Sequence, residues 1–271
     1  MRHVLRSLSI RTLALAAGLW LLASEGRAPR AAGPRADRRP APVMGIGGAD
    51  WLEREGREAE QRPAEIIRTM GLKDGHAVAD LGCGTGYFAR RMARAVAPSG
   101  RVYAVDIQPE MIARMKGLLA QEQITNVVAV LGDVDDPKLA PASLDWILLV
   151  DVYHELQQPK AMLARMRAAL KPEGRVALVE YRLEGPTALH VRTEHRMSVE
   201  QVLAEWQPAG FRLVERHDFL PTQHFLVFES AREGTGRPLG SFASRASVRA
   251  NDPLRDTTPF GLFMRKAGPA T

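Results

Sequence analysis

The chain has 271 residues, 45% hydrophobic and 25% charged, which is the balance of a globular protein with one domain or two small ones. Its single cysteine, Cys83, excludes an intramolecular disulfide. Residues 1–40 carry the whole formal charge of +6, and the neutral remainder gives no support to a general nucleic-acid-binding function.

The N-terminal arm has the pattern of a targeting segment. Arg2, Arg6 and Arg11 precede an apolar run at 13–23 that is too short to span a membrane. We expect residues 1–25 to be a signal-like or anchor segment, with membrane contact only there. Such a segment would lead to export of the protein or would anchor it in a membrane. A transit peptide is one alternative, and a cytoplasmic protein whose translation starts near Met44 is another.

The arm continues into residues 26–43, which are rich in alanine, proline and arginine and have no apolar period. This composition is typical of a disordered linker. At the other end of the chain, residues 231–271 are predicted to form an irregular tail. Residues 44–230 are therefore expected to contain the folded domain.

Within this domain, β-rich runs alternate with helical patterns, which predicts a doubly wound α/β fold. After a leading helix at 51–70, we predict parallel strands and, after a helix at 199–206, two strands joined by a short connection. That connection favours an antiparallel C-terminal hairpin on a mostly parallel, seven-stranded sheet. The predicted strands are 76–81, 101–105, 126–131, 144–150, 175–181, 211–216 and 224–228.

The clearest chemical signal is a glycine loop between the first strand and the next helix. Asp80 ends the hydrophobic run, and Gly82, Gly84 and Gly86 follow at alternate positions. Glycines allow positive φ and close approach of the backbone to a ligand, and the helix N-terminus adds unpaired N–H groups. The loop is therefore expected to bind a ligand at the carboxyl end of the strand.

The glycine spacing bears on which cofactor is bound. A dinucleotide site has G-x-G-x-x-G, and counting from Gly82 the third glycine position holds Tyr87. Counting from Gly84 it holds Ala89, and alanine is tolerated there in some dinucleotide sites. An NAD-binding oxidoreductase therefore stays an alternative.

Residues 80–86 resemble the D-x-G-x-G-x-G motif of class I S-adenosylmethionine-dependent methyltransferases, and the resemblance covers roughly residues 60–230. It implies S-adenosyl-L-methionine as cofactor and predicts further binding residues at successive strand ends. In the family, an acidic residue after the second strand accepts the ribose hydroxyls, and one after the third accepts the adenine amino group. In this chain, Asp106 and Ile107 follow the second strand, and Asp133 and Val134 follow the third. Asp151 follows the fourth strand.

Residues 151–156 resemble the Asp-x-x-His stretch of small-molecule methyltransferases, which lines the acceptor pocket. His154 is thus a candidate general base or acceptor contact, since imidazole titrates near neutrality. The alternative is that His154 only caps a helix or packs. Tyr181 is a second catalytic candidate, and His190 and His195 could close over the site.

Other features narrow the acceptor class. The chain has no Asn-Pro-Pro-Tyr-like motif after the fourth strand, which disfavours adenine in DNA or glutamine as acceptor. No RNA-binding module is evident, so a small-molecule acceptor is expected. The histidines are scattered, and no metal site is expected. A catalytically silent, methyltransferase-like binding protein is a further alternative.

Overall fold

A mixed β-sheet forms the centre of the fold. The computed structural model describes residues 39–231. The predicted targeting segment, most of the predicted linker and all but the first residue of the predicted tail lie outside the described residues. The strands are β1 Ala77–Leu81, β2 Arg101–Asp106, β3 Val127–Leu131, β4 Leu144–Val150, β5 Leu170–Arg182, β6 Arg196–Met197, β7 Phe211–His217 and β8 Gln223–Ser230.

The strand order is β3-β2-β1-β4-β5-β8-β7, and β6 pairs with β5 beside this path. The first five strands run parallel, whereas β8 is antiparallel to both β5 and β7. This arrangement confirms the predicted doubly wound sheet with its C-terminal hairpin. The two-residue strand β6 is an eighth strand that the sequence pattern did not indicate.

The helices connect the strands and cover both faces of the sheet. They are α1 Ala49–Leu52, α2 Arg57–Gln61, α3 Pro63–Met70, α4 Tyr87–Ala95, α5 Pro109–Gln121, α6 Pro159–Ala169 and α7 Val199–Trp206.

The prediction of a single helix at 51–70 is wrong, because this segment is divided among the three short helices α1, α2 and α3. Arg62 adopts a left-handed conformation, with φ of 43°, directly before Pro63. A residue that precedes proline is disfavoured in the right-handed helical region, so α2 ends there and α3 starts with proline at its first position.

Strand β5 begins five residues earlier than predicted. Residues 171–174, whose proline and glycine are typical of a turn, belong to the strand, and the pairing of β5 with β4 shifts register between Leu144 and Trp146. The shift accommodates the additional residues of β5, so the sequence signal for a turn corresponds to an irregularity inside a strand.

The central strands bury both of their faces. Alternate residues of β4 contribute to the two core layers: Trp146 and Leu148 lie on one side, and Ile147 and Leu149 on the other. This burial is the reason that β4 is almost continuously apolar.

The last residues of the predicted linker, 39–43, pack against the domain. Ala41 is buried, and its N–H donates to the carbonyl of His154 at 3.0 Å. The ordered structure thus begins before the predicted domain start at residue 44. Within residues 39–231, the helices are too short or too polar to cross a membrane.

The glycine loop is held in place by close packing across the top of the sheet. Gly82 has a φ of 74°, and a Cβ atom added there would lie 2.2 Å from Cγ2 of Val152. We expect Gly82→Ala to lower the free energy of unfolding by about 2 kcal/mol or more, because strain and steric overlap add. Urea unfolding of the full chain measures the change.

Gly117→Ala is the matched control. Gly117 lies inside α5, and a Cβ atom there would contact nothing within 4 Å. Alanine should therefore stabilise the helix by roughly 0.5–1 kcal/mol. A Gly82→Ala protein as stable as the wild type would contradict the described loop conformation.

Candidate functional site

The carboxyl ends of the parallel strands surround a cavity of about 750 Å³, a volume within the usual range for small-molecule sites. Of the predicted site residues, nine line this cavity: Gly82, Gly84, Asp106, Ile107, Asp133, Val134, Asp151, His154 and Tyr181. The cavity thus brings together residues that follow β1, β2, β3 and β4, as the predicted topology requires.

The other two predicted residues, Asp80 and Gly86, lie behind the cavity lining. Gly86 precedes α4 with a φ of 80°. Asp80 is buried and accepts a hydrogen bond from the N–H of Ala89 in the first turn of α4, while its Oδ2 atom is buried without a hydrogen-bond partner. Burial raises the pKa of Asp80 to about 7.

Asp106 is fixed at the end of β2 by two backbone donors. Its Oδ2 accepts from the N–H of Gly84 at 2.8 Å, and its Oδ1 accepts from the N–H of Gln108 at 2.9 Å. Each carboxylate oxygen has a second lone pair that remains available to a ligand. Burial raises the pKa of Asp106, against the effect of these backbone hydrogen bonds.

The edge of the cavity beyond β2 and β3 is more open. Asp133 is exposed there and forms an ion pair with Lys138 at 3.0 Å. Ile107 and Val134 are large apolar side chains that are nevertheless exposed, at 38% and 39%. Exposed apolar groups at a cavity edge suit contact with a flat, weakly polar ligand group.

Asp151 occupies a strained position directly after β4. Its φ is 54°, which is uncommon for a residue other than glycine. Its Oδ2 accepts hydrogen bonds from Gln61 at 2.6 Å and Gln223 at 2.7 Å, while Oδ1 is buried without a partner. Burial, followed by the nearby charge of Glu180, raises the pKa of Asp151 to about 7.

His154 is oriented by a buried carboxylate. Its Nδ1–H donates to Oε2 of Glu180 at 2.6 Å, and Oε1 of Glu180 accepts from the backbone N–H of Tyr153 at 2.7 Å. Burial disfavours the charged imidazole, but the charge of Glu180 outweighs it and raises the pKa of His154. While Nδ1 contacts Glu180, Nε2 is the ring atom that faces His195.

Two of the histidines that are scattered along the sequence, His154 and His195, lie side by side in the structure. His195 lies in a 3₁₀ turn at Thr193–His195, and its Nδ1 is 3.1 Å from Nε2 of His154. Together with Glu155, these two rings place their polar atoms within 4.8 Å of one another. His190, on the same segment, also lines the cavity.

Tyr181 and Cys83 keep their protons in this environment. Asp151 and burial raise the pKa of Tyr181, so its hydroxyl can donate a hydrogen bond but is a poor base. Burial likewise raises the pKa of the Cys83 thiol, as expected of a packing residue rather than a nucleophile.

Three polar partners in the site were not predicted from the sequence: Gln61, Glu180 and Gln223. Glu180 could have been recognised from the sequence, because a single acidic residue at the end of the apolar run 176–179 of β5 is unusual. The two glutamines had none, since each lies more than seventy residues from Asp151 along the chain. Only the tertiary fold brings them to it.

Comparison with known proteins identifies the kind of chain that has this site. The model of a family described as a methyltransferase domain matches residues 72–222, more than half of the chain. An arsenite methyltransferase of Halobacterium salinarum is 27% identical over 194 residues, covering 68% of this chain and 49% of that protein.

Another relative is a ubiquinone/menaquinone biosynthesis C-methyltransferase of Cupriavidus taiwanensis, 30% identical over 42% of this chain and 47% of that protein. The chain thus spans about half the length of these curated relatives. A solved SAM-dependent methyltransferase from Aquifex aeolicus superposes with a TM-score of 0.63 at 22% identity, over 69% of this chain and 98% of that one. This structural likeness supports the fold.

Asp80 is expected to make stability depend on pH. Its pKa of about 7 exceeds the ordinary value of about 3.9 in an unfolded chain, so only the folded state holds the proton between these values. The contribution of Asp80 to the free energy of unfolding therefore falls as pH rises from about 4 to about 7 and then stays constant.

Asp80→Asn removes this dependence and keeps an acceptor for the N–H of Ala89. The variant should gain stability relative to the wild type as pH rises, by up to about 4 kcal/mol at about pH 8. Urea unfolding at about pH 4.5 and about pH 8 measures the difference. An equal stability difference at both pH values would show that Asp80 titrates normally.

Proposed function

Since the chain belongs to the class I S-adenosylmethionine-dependent methyltransferase family, we propose that it transfers the methyl group of this cofactor to a small-molecule acceptor. The observation that carries the proposal is the shared cavity. The glycine loop and Asp106 line one part of it, and His154, which Glu180 orients from behind, lines another.

The residues present fit the cofactor. Asp106 offers two carboxylate oxygens to a ribose diol, and Asp133, Ile107 and Val134 would surround the adenine. Oδ1 of Asp151 is buried without a partner and would accept a hydrogen bond from the ammonium group of the cofactor. Such a contact would explain why an oxygen that is costly to bury is kept there. When bound, the cofactor supplies an activated methyl group on a sulfonium.

A small acceptor is supported by the size of the cavity and by the relatives. The cavity has a volume of about 750 Å³, which suits a small molecule. The relatives named above act, by their names, on arsenite and on quinone precursors. We therefore favour a small molecule, without assigning the acceptor atom.

His154 is proposed to contact the acceptor and to remove its proton. Glu180 holds Nδ1, so the ring presents a basic Nε2 and is held in one orientation. His195 is close to Nε2 and would move aside or receive the proton in turn. Tyr181 would position the acceptor through its hydroxyl. Export or anchoring through residues 1–25 remains a separate proposal.

The cofactor assignment predicts a specific loss of affinity. Asp106→Ala should weaken S-adenosylmethionine binding to the full chain by roughly 1.5–3 kcal/mol, or about ten- to a hundredfold, because a charged hydrogen-bond acceptor is lost. Isothermal titration calorimetry measures the affinity, and NAD should give no heat of binding.

The matched control is Asp135→Ala, which removes an exposed carboxylate outside the cavity lining and should leave the affinity unchanged. Equal affinities of the wild type and Asp106→Ala would overturn the assigned cofactor site. Binding of NAD in place of S-adenosylmethionine would favour an oxidoreductase instead.

The role of His154 is tested by separating turnover from cofactor binding. His154→Ala should reduce formation of S-adenosylhomocysteine by roughly 10²–10⁴-fold with phenol, thiol, quinol or arsenite acceptors, while cofactor affinity stays the same. His76→Ala, at the opposite end of β1, is the control and should retain turnover. Unchanged turnover in His154→Ala would exclude the proposed role, and a wild type that binds cofactor without turnover would favour a silent binding protein.

A further inference from the structure

Three side chains at the His154 end of the cavity form a cluster of metal-binding type. Nε2 of His154 lies 3.1 Å from Nδ1 of His195 and 4.0 Å from Oε1 of Glu155. All three polar atoms lie within 4.8 Å of one another, and all three residues line the cavity. Two imidazoles and one carboxylate thus converge on one point.

We propose that His154, Glu155 and His195 bind one divalent transition-metal ion, whose open coordination positions face the cavity. The binding site itself does not depend on the proposed function. Only the role of the ion toward the acceptor rests on the proposed methyl transfer.

The distances are close to those of a coordinated set. Metal–imidazole bonds of about 2.0–2.1 Å place two nitrogen ligands of one ion roughly 2.8–3.4 Å apart, for angles between octahedral and tetrahedral. The separation of 3.1 Å between the His154 and His195 nitrogens lies in this range. Glu155 is half-buried, and its carboxylate lies 4.0 Å from Nε2 of His154 and within 4.8 Å of the His195 nitrogen, so it needs to approach these atoms by up to roughly 1.4 Å, which a side-chain rotation can supply.

A second carboxylate prepares His154 as a ligand. Metal-bound histidines usually donate their other ring N–H to a carboxylate or carbonyl, which sets the tautomer and the ring orientation. Glu180 provides this contact at 2.6 Å from Nδ1 and is itself almost fully buried. A cation beside Glu155 and Glu180 would also offset the cost of burying two carboxylates in one place.

His195 can adopt the required tautomer. Coordination through Nδ1 leaves the ring proton on Nε2, which now lies 3.3 Å from the guanidinium of Arg192. The side chain of Arg192 is 70% exposed and already pairs with Glu194 at 3.2 Å, so it can turn away at little cost.

The donor set indicates which ions fit. Two histidines and one carboxylate hold zinc in open sites and Fe(II) in non-haem sites, with positions left for a substrate or water. An acceptor hydroxyl or thiol bound to the ion would lose its proton more readily. With the ion bound, the metal rather than His154 would activate the acceptor, because Nε2 of His154 is already coordinated to the ion.

The test is direct metal binding to the full, untagged chain in the absence of S-adenosylmethionine. We expect calorimetry with Zn²⁺ to show one ion per chain, and Co²⁺ to give the visible absorption of a low-coordinate site. His195→Ala and Glu155→Gln should each weaken binding at least tenfold, since each removes one of three ligands. His76→Ala, a histidine distant from the cluster, should bind like the wild type.

Circular dichroism of each variant verifies folding, and His195 is only half-buried, so its replacement is expected to leave the core intact. Equal Zn²⁺ affinity in the wild type and the His195→Ala/Glu155→Gln double variant would overturn the proposal and leave a hydrogen-bonded histidine pair only. Because cofactor affinity is measured separately, failure of metal binding leaves the methyltransferase proposal untouched.

Discussion

The parallel pairing of β1 with β4 is the constraint on which the site depends. The strand order reverses direction at this pair, so the connections after the two strands diverge and leave a crevice at their carboxyl ends. Gly82 follows one strand and Val152 follows the other, and they pack against each other across the crevice. A larger residue at Gly82 would separate the two strand ends that hold the site.

The crevice also concentrates buried acidic groups, which would be costly without partners. Asp106 is satisfied by backbone N–H groups, and Glu180 by His154 and by the backbone at Tyr153. Asp80 and Asp151 each keep one oxygen without a partner, and burial raises the pKa of both. Unsatisfied acceptors are rare in folded proteins, and here both belong to segments that build the ligand cavity. These unpartnered oxygens lower the stability of the fold at the positions that form the ligand cavity.

The sequence predicted the parts of the molecule that depend on local pattern. The alternation of strands and helices, the glycine loop and the C-terminal hairpin follow from local pattern, the acidic residues at successive strand ends follow from the family resemblance, and the structure agrees with the fold. The break of the leading helix at Arg62 was also a local signal, since Pro63 follows it. It was missed because the apolar spacing alone resembles one long helix.

The contacts of the acceptor end could not be predicted in the same way. Gln61 reaches Asp151, Glu180 reaches His154 and Ala41 reaches the carbonyl of His154, each across a long stretch of sequence. His195 meets His154 through a turn that has no repeating pattern. Two of these contacts, those with Glu180 and His195, orient the ring of His154, whose Nε2 can take a proton or bind a metal but not both. Under the proposed function, either use favours an acceptor whose nucleophilic atom must lose a proton, because an acceptor that has no proton to lose would require neither.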